Sequence, residues 1–245
     1  MGTIYMITAP RSKVPKRAIK EFLKHHDVHK WIIAKETGSG GYEHWQIRMD
    51  TAASFDELKS AFPEAHIEQS TQWCNYERKE GNYVCSDDNS AILSCRFGRP
   101  WGNQRRILGD LDKQSNRGIT VVYDPEGNTG KSWLCRHLYE RGTGYYVPPT
   151  IGTAQGLIQY VASGYRGERY IIIDIPRSSR WTSALYEAIE TIKDGMVYDT
   201  RYHASMRDIW GVKVLVLTNT LPKLDALSKD RWRILDGHGY EVNEH

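Results

Sequence analysis

Nine consecutive residues, Asp124-Pro125-Glu126-Gly127-Asn128-Thr129-Gly130-Lys131-Ser132, restrict the folds open to this 245-residue chain more than any other feature. They follow an apolar run at 119–123 that reads as a buried strand, and they lead into helical periodicity at 131–141. A glycine-rich turn between strand and helix gathers backbone N–H groups at the helix N-terminus, an arrangement that cradles phosphate. The lysine of such a loop reaches the β and γ oxygens, and the serine hydroxyl binds Mg²⁺. Gly127, Asn128, Thr129, Gly130, Lys131 and Ser132 are therefore candidate ATP-binding residues. Pro125 stands where such loops carry their first glycine, and an ordinary glycine-rich turn is the competing reading. Further apolar runs at 170–174 and 212–218 predict an α/β unit with a mainly parallel sheet.

A phosphate-binding loop needs a carboxylate to hold its metal, and Asp174, closing the run at 170–174, is the candidate. Ile175 follows where a second acid would polarise the attacking water, so the hydrolytic base is left unassigned. Asn219, just past the run ending at 218, is a candidate contact for the γ-phosphate or that water, although asparagine often ends strands. Arg231 has two readings: an arginine finger reaching a neighbouring subunit's nucleotide, or a surface salt bridge.

The first 93 residues have a different pattern. Strands are predicted at 4–8, 31–36, 43–50 and 65–68, and helices at 16–25, from the capping box of Ser54 and Glu57 to about 61, and at 71–80. That order makes an α+β sandwich with an antiparallel sheet flanked by helices. Residues 94–117 are polar and basic and read as a connector, leaving 118–245 for the α/β unit. The net charge of +3 says little about nucleic acid, and acidic residues slightly outnumber basic ones before Ser94. Cys74, Cys85, Cys95 and Cys135 form no C-x-x-C pair or zinc-type spacing, which fits plain thiols in a reducing compartment. No apolar run approaches the roughly 20 residues of a membrane span, and no signal peptide is read at the N-terminus.

His44-Trp45-Gln46 lies on a predicted strand, so His44 and Gln46 share one face and Trp45 points away. With Glu36, which closes the preceding strand, they offer an imidazole, an amide oxygen and a carboxylate, a set suited to Mn²⁺ or Mg²⁺. Taken by itself, His44 is more simply explained as a satisfied surface histidine. Tyr76 and Lys79, three apart on a predicted helix, add a phenol and a cation. A phenol with its ordinary pKa of about 10 is a poor nucleophile, but a nearby cation and a metal-polarised phosphate make attack on a phosphodiester feasible.

Taken in order, these motifs resemble the replication initiator (Rep) of small circular single-stranded DNA viruses, the circovirus, nanovirus and smacovirus group. Residues 4–10 resemble the first nuclease motif, His44-Trp45-Gln46 the metal motif in its H-x-Q form, and 73–83 the catalytic tyrosine motif. Residues 124–132 and Asp174-Ile175-Pro176-Arg177 are similar to nanovirus and alphasatellite Reps, whereas the nuclease half is more similar to smacoviruses. The resemblance implies an HUH endonuclease at 1–93, a connector or oligomerisation segment at 94–117, and a superfamily 3 helicase of AAA+ type at 118–245. It also implies that Tyr76 breaks the origin strand as a 5′-phosphotyrosine, that Lys79 assists, and that Glu36, His44 and Gln46 hold the metal. Glu190 to Gly195, running on to Arg201, resembles a segment whose hairpin contacts single-stranded DNA, with Lys193 and Arg201 the candidates or else a solvated pair. Implied partners are single-stranded and stem-loop origin DNA, ATP with Mg²⁺, and further copies forming a hexamer. The implied location is the host nucleus, or the cytoplasm where the host has none. Two other readings stay open: a P-loop ATPase whose first domain only binds nucleic acid, and a plasmid initiator or relaxase-like relative.

Overall fold

The computed structural model describes residues 2–74, 76–201 and 204–242. It divides into two compact units, Met1–Arg96 and Phe97–His245. In the first, strands β1 (Thr3–Pro10), β2 (Lys30–Thr37), β3 (Glu43–Thr51), β4 (His66–Ser70) and β5 (Tyr83–Cys85) form an antiparallel sheet in the order β4-β1-β3-β2-β5. Alternation along the strands decides which face is core. Tyr5, Ile7, Ala9, Ile33, Ile47 and Met49 pack against Ile19, Phe22 and Leu23 of α1 (Lys16–His25) and Leu58 of α2 (Phe55–Ala61). Each large apolar side chain buried there stabilises by about 1.5–3 kcal/mol. Ser54 and Glu57 complete the expected capping box at the start of α2. The other face of the sheet is left to Thr8, Glu36, His44, Gln46 and Arg48.

The helix expected over 71–80 does not form. Among the described residues of that stretch there is a single 3₁₀ turn, Tyr76–Arg78, and Asn75 lies outside the described residues. Glu77 is drawn onto the sheet by an ion pair with Arg48, and that tertiary anchor overrides local helical preference.

Residues 94–117 are not a free connector either. They finish α3 (Ser90–Phe97) and form α4 (Gly102–Leu111). Ile107 and Leu111, one helical turn apart, are buried with Val122, Leu134 and Leu217, so α4 is a packed element of the second unit. The basic composition of the segment masked that stripe.

In the second unit, β6 (Ile119–Tyr123), β7 (Gly144–Tyr146), β8 (Tyr170–Asp174), β11 (Lys213–Thr218) and β12 (Trp232–Asp236) form a parallel sheet. Their order is β12-β6-β11-β8-β7. The central strands are apolar throughout because both faces are covered, by α4 and α5 (Lys131–Glu140) on one side and by α6 (Ala154–Gly164) and α7 (Ser183–Asp194) on the other. A separate hairpin joins β9 (Met196–Asp199) to β10 (Ser205–Asp208). Because β11 lies between β6 and β8, the residues that follow these three strands, Asp124, Asn219 and the terminal Asp174, meet at one edge of the sheet.

Candidate functional site

On the face of the first sheet away from α1 and α2, Glu36 and His44 are direct cross-strand partners, and Gln46 sits between Ala34 and Thr8. Glu36 Oε2 lies 3.7 Å from His44 Nε2 and 2.8 Å from Lys79 Nζ. Gln46 Oε1 accepts from Thr8 Oγ1 at 2.8 Å and keeps a second lone pair. His44 Nδ1 lies 3.1 Å from the Tyr42 carbonyl oxygen. Only an N–H can face that acceptor, so Nδ1 carries a proton and Nε2 is the ring nitrogen on the side of Glu36. Trp45 points the other way, its indole N–H donating to the Val14 carbonyl at 2.8 Å.

Glu36 is buried, and its Oε1 has no hydrogen-bond partner. A buried carboxylate oxygen left without a partner is costly unless a cation approaches it. Together with His44 Nε2 and the Gln46 amide oxygen it offers a donor set that fits a hard or borderline divalent ion. Among the described residues no three His, Cys, Asp or Glu side chains gather as a metal site, so an ion bound here would need the Gln46 amide as a third ligand.

Tyr76 reaches this group through Lys79, whose ammonium lies 3.8 Å from the centre of the Tyr76 ring. The pairing survives without a helix because the turn itself closes it: Lys79 N donates to the Tyr76 carbonyl at 3.2 Å. Burial disfavours charge on Lys79, but its hydrogen bonds to Glu36 and Tyr76 and the Glu36 charge outweigh that cost and raise its pKa. The Tyr76 ring is 53% exposed and open to a ligand.

What fixes Tyr76 is its neighbour. Glu77 is 1% exposed, and its Oε1 accepts from Arg48 Nε at 2.9 Å. Arg48 also donates to Ser70 Oγ at 3.0 Å and to the Gln72 carbonyl at 3.4 Å. The signal for this pair was available, since Arg48 continues the His44, Gln46 alternation, but nothing local marked Glu77 as buried. Arg48→Ala strands a carboxylate that already has one unpartnered oxygen, Oε2. The expected loss is about 3–5 kcal/mol in urea denaturation, with an Arg48→Leu/Glu77→Leu double variant much closer to the parent. A single-variant loss below about 1 kcal/mol, the scale of an exposed pair, would contradict this.

In the second unit, Asp124 organises the glycine-rich turn. Its Oδ1 accepts from Gly127 N at 2.8 Å, and its Oδ2 accepts from Thr129 Oγ1 at 2.6 Å and Lys131 Nζ at 2.7 Å. Burial pushes the Asp124 pKa up, but these bonds, led by Lys131, bring it below the usual carboxylate value. Gly127, Asn128 and Gly130 take positive φ of 85°, 68° and 85°, the left-handed backbone that lets the chain wrap so tightly. Outward carbonyls of the turn are satisfied from outside it. Asn103 Nδ2 donates to Thr129 O at 2.9 Å, Gln104 Nε2 to Gly130 O at 3.0 Å, and Arg177 Nη2 to the Pro125 and Glu126 carbonyls at 3.1 Å each. Asn219 Nδ2 donates to the Asp124 carbonyl, which brings its amide beside the turn. Burial raises the Asp174 pKa despite the opposing charge of Lys131. A carboxylate short of compensating positive charge at the end of the sheet that carries the glycine-rich turn could be neutralised by a divalent cation. Ser132, in the first turn of α5, is exposed. Asp124, Asn103, Gln104 and Arg177 were not anticipated, because their roles depend on tertiary contacts.

Two expected roles are corrected. Lys193, a DNA-contact candidate, is fully buried, donating to Gln114 Oε1 and the Val212 carbonyl at 2.7 Å each. Burial, helped by the charges of Lys213 and Arg231, lowers its pKa to about 8. Such an ammonium is spent inside the fold. Arg231 is not free to act as a finger and does form a salt bridge, but as its buried half against the half-exposed Asp194 and Glu190. It is 3% exposed and binds Asp194 through both terminal nitrogens, at 2.8 and 3.0 Å, with Glu190 Oε1 3.3 Å from its Nε. Arg201 differs from both: it is exposed between the strands of the β9–β10 hairpin and pairs with Asp199 Oδ2 at 2.7 Å.

No protein-family model matches the chain. Over 141 residues it is 33% identical to Para-Rep C6 of Subterranean clover stunt C6 alphasatellite, covering 56% of this chain and 47% of that protein. It is 29% identical over 120 residues to the Master replication protein of Banana bunchy top virus, covering 49% and 40%. With the Master replication protein of Milk vetch dwarf virus it shares 28% over 142 residues, covering 58% and 46%. The matches therefore span about half the length of the curated relatives or somewhat less. The chain's homologues are thus the Rep and master replication proteins of circular single-stranded DNA viruses and their alphasatellites, at about 30% identity over about half the chain.

Proposed function

We propose that this chain initiates rolling-circle replication, with an HUH-type endonuclease in the first unit and a superfamily 3 helicase ATPase in the second. The observation that carries the nuclease reading is the continuous run Tyr76, Lys79, Glu36, His44 beside Gln46 on one sheet face. In this reading the Tyr76 oxygen attacks a phosphodiester phosphorus, a P–O bond forms to Tyr76 and the bond to O3′ breaks. A 5′-phosphotyrosine and a free 3′-OH result, and the reverse reaction rejoins the strand. Lys79 stabilises negative charge on the phenol oxygen and keeps Glu36 oriented. Mg²⁺ or Mn²⁺ held by Glu36, His44 and Gln46 would supply polarisation of the phosphate.

For the ATPase, Gly127, Asn128, Thr129 and Gly130 would cradle the phosphates and Lys131 leave Asp124 for the β and γ oxygens. Ser132 and Asp174 would hold Mg²⁺, and Asn219 would face the γ-phosphate. The names of the relatives, replication proteins all, support the reading. Origin stem-loop DNA, ATP and further copies of the chain, up to a hexamer, are the proposed partners, with Arg201 on the hairpin meeting single-stranded DNA. The proposed setting is the interior of the host cell, in its nucleus where it has one; among the described residues no helix is long and apolar enough to cross a membrane.

The test is a nicking assay on a labelled stem-loop oligonucleotide. Activity should require added Mn²⁺ or Mg²⁺ and be lost in excess EDTA, and His44→Ala should raise the Mn²⁺ needed for half-maximal rate at least about 10-fold to 100-fold. Nicking indifferent to EDTA would remove the metal site. DNA binding without any nicking would favour an ATPase whose first unit only binds nucleic acid, with exposed Tyr76 as a stacking platform.

A further inference from the structure

We infer that Trp101 is the stacking platform for the base of the bound nucleotide, a site that the phosphate-loop residues alone do not supply. The inference rests on the ATP reading above and adds to it what holds the nucleoside. Trp101 immediately precedes α4, whose first turn is docked on the glycine-rich turn through Asn103 and Gln104. Gln104, itself 1% exposed, also accepts from Trp101 N at 2.8 Å, so the residue is tied at its backbone. Its indole lies directly against the turn: a β-carbon at Gly130 would fall 2.6 Å from Trp101 Cζ3.

From there a short ladder of rings runs along α5. Trp101 and Trp133 have centres 6.1 Å apart with planes 12° apart, and Trp133 and His137 have centres 4.9 Å apart with planes 10° apart. Trp133 and His137 are one helical turn apart, which aligns their rings, and Trp101 adds a third from outside the helix. At 6.1 Å the two indoles leave no slot for a base between them, so a further ring can join only at an open end. Trp101 is that end, 52% exposed.

The chemistry of the ligand selects this position. Lys131 addresses the β and γ oxygens, whereas the N–H groups at the start of α5 face the α-phosphate. The ribose and base leave from the α-phosphate, and therefore on the side of Ser132 and Trp133. An exposed indole fixed beside Gly130 meets a purine there by its π-face, which gives affinity with little discrimination between adenine and guanine.

The experiment compares two probes by titration calorimetry on the full chain with Mg²⁺: ATP, and tripolyphosphate, which has the phosphates and no base. The parent should bind ATP more tightly than tripolyphosphate. Trp101→Ala should weaken ATP by roughly ten- to a hundredfold, the scale of one base–aromatic stack, while tripolyphosphate stays within about twofold and Trp101→Phe falls between. Lys131→Ala should weaken both probes. Unchanged ATP affinity in Trp101→Ala overturns the inference, and so do equal losses of both probes, which would make Trp101 only a brace for the turn. A parent that binds the two probes equally overturns the base site and leaves the phosphate loop standing. A parent that binds neither overturns the loop reading and the base site with it. Loss of a thymidine oligonucleotide in Trp101→Ala, with ATP unaffected, would instead make Trp101 a platform for the DNA strand.

Discussion

Lys131→Ala is expected to lower ATP hydrolysis by about 10²- to 10³-fold or more, the scale of removing a fixed positive group from a developing phosphoryl charge. The variant should fold. Asp124 would lose the ammonium at 2.7 Å but keep Gly127 N and Thr129 Oγ1, and the turn's outward carbonyls would keep Asn103, Gln104 and Arg177. Nicking of a stem-loop should be nearly unaffected, because every residue of the tyrosine site lies between Thr8 and Lys79, in a unit with its own core. Steady-state ATPase and gel-based nicking on the same preparation check both halves. A folded Lys131→Ala protein that hydrolyses ATP normally would remove the loop from the chemistry, and one that no longer nicks would show that the two activities are coupled.

Tyr76→Phe is expected to abolish the covalent protein–DNA adduct, a loss on the order of 10⁴-fold or more, because no other group can take over once a covalent nucleophile is deleted. The phenylalanine ring gives up the phenol's hydrogen bond to Lys79 but keeps the ring contact beneath its ammonium, and the Arg48–Glu77 pair that holds the turn is untouched. Stability and DNA binding should therefore stay within about 0.5 kcal/mol of the parent, as for most exposed substitutions. Adduct formation by Tyr76→Phe at the parental rate would place the nucleophile elsewhere.

Four of the five strands of the first sheet and the two helices packed on it were legible because burial is one-sided, whereas the short β5 was not. Alternation separates His44 and Gln46 from Trp45, and the helix at Lys16–His25 announces itself by its apolar stripe. The second unit was legible for the opposite reason, through strands apolar on both faces flanking a glycine-rich turn. What failed was whatever depended on a partner far along the chain. Glu77 looks like an exposed helical acid until Arg48, 29 residues earlier, is seen to hold it. Lys193 and Arg231 look like surface cations until Gln114 and Asp194 are found beside them. Charged residues read as exposed by default, and that default breaks where buried ion pairs tie elements together. The same blindness hid α4, whose few apolar residues lie among arginines. At the candidate sites, type and spacing picked out the side chains proposed to carry chemistry, whereas those that orient them, Thr8, Asn103, Gln104, Asp124 and Arg177, emerged only with the fold.

The central claim is that Tyr76 becomes covalently joined to DNA. The most direct measurement incubates the protein with Mn²⁺ and a stem-loop oligonucleotide, digests the product with nuclease and protease, and locates the residual nucleotide by mass spectrometry. The account predicts a nucleotide phosphate on the peptide containing Tyr76, absent in Tyr76→Phe. Cleaved DNA with no modified peptide, or a nucleotide on a different tyrosine, would contradict it.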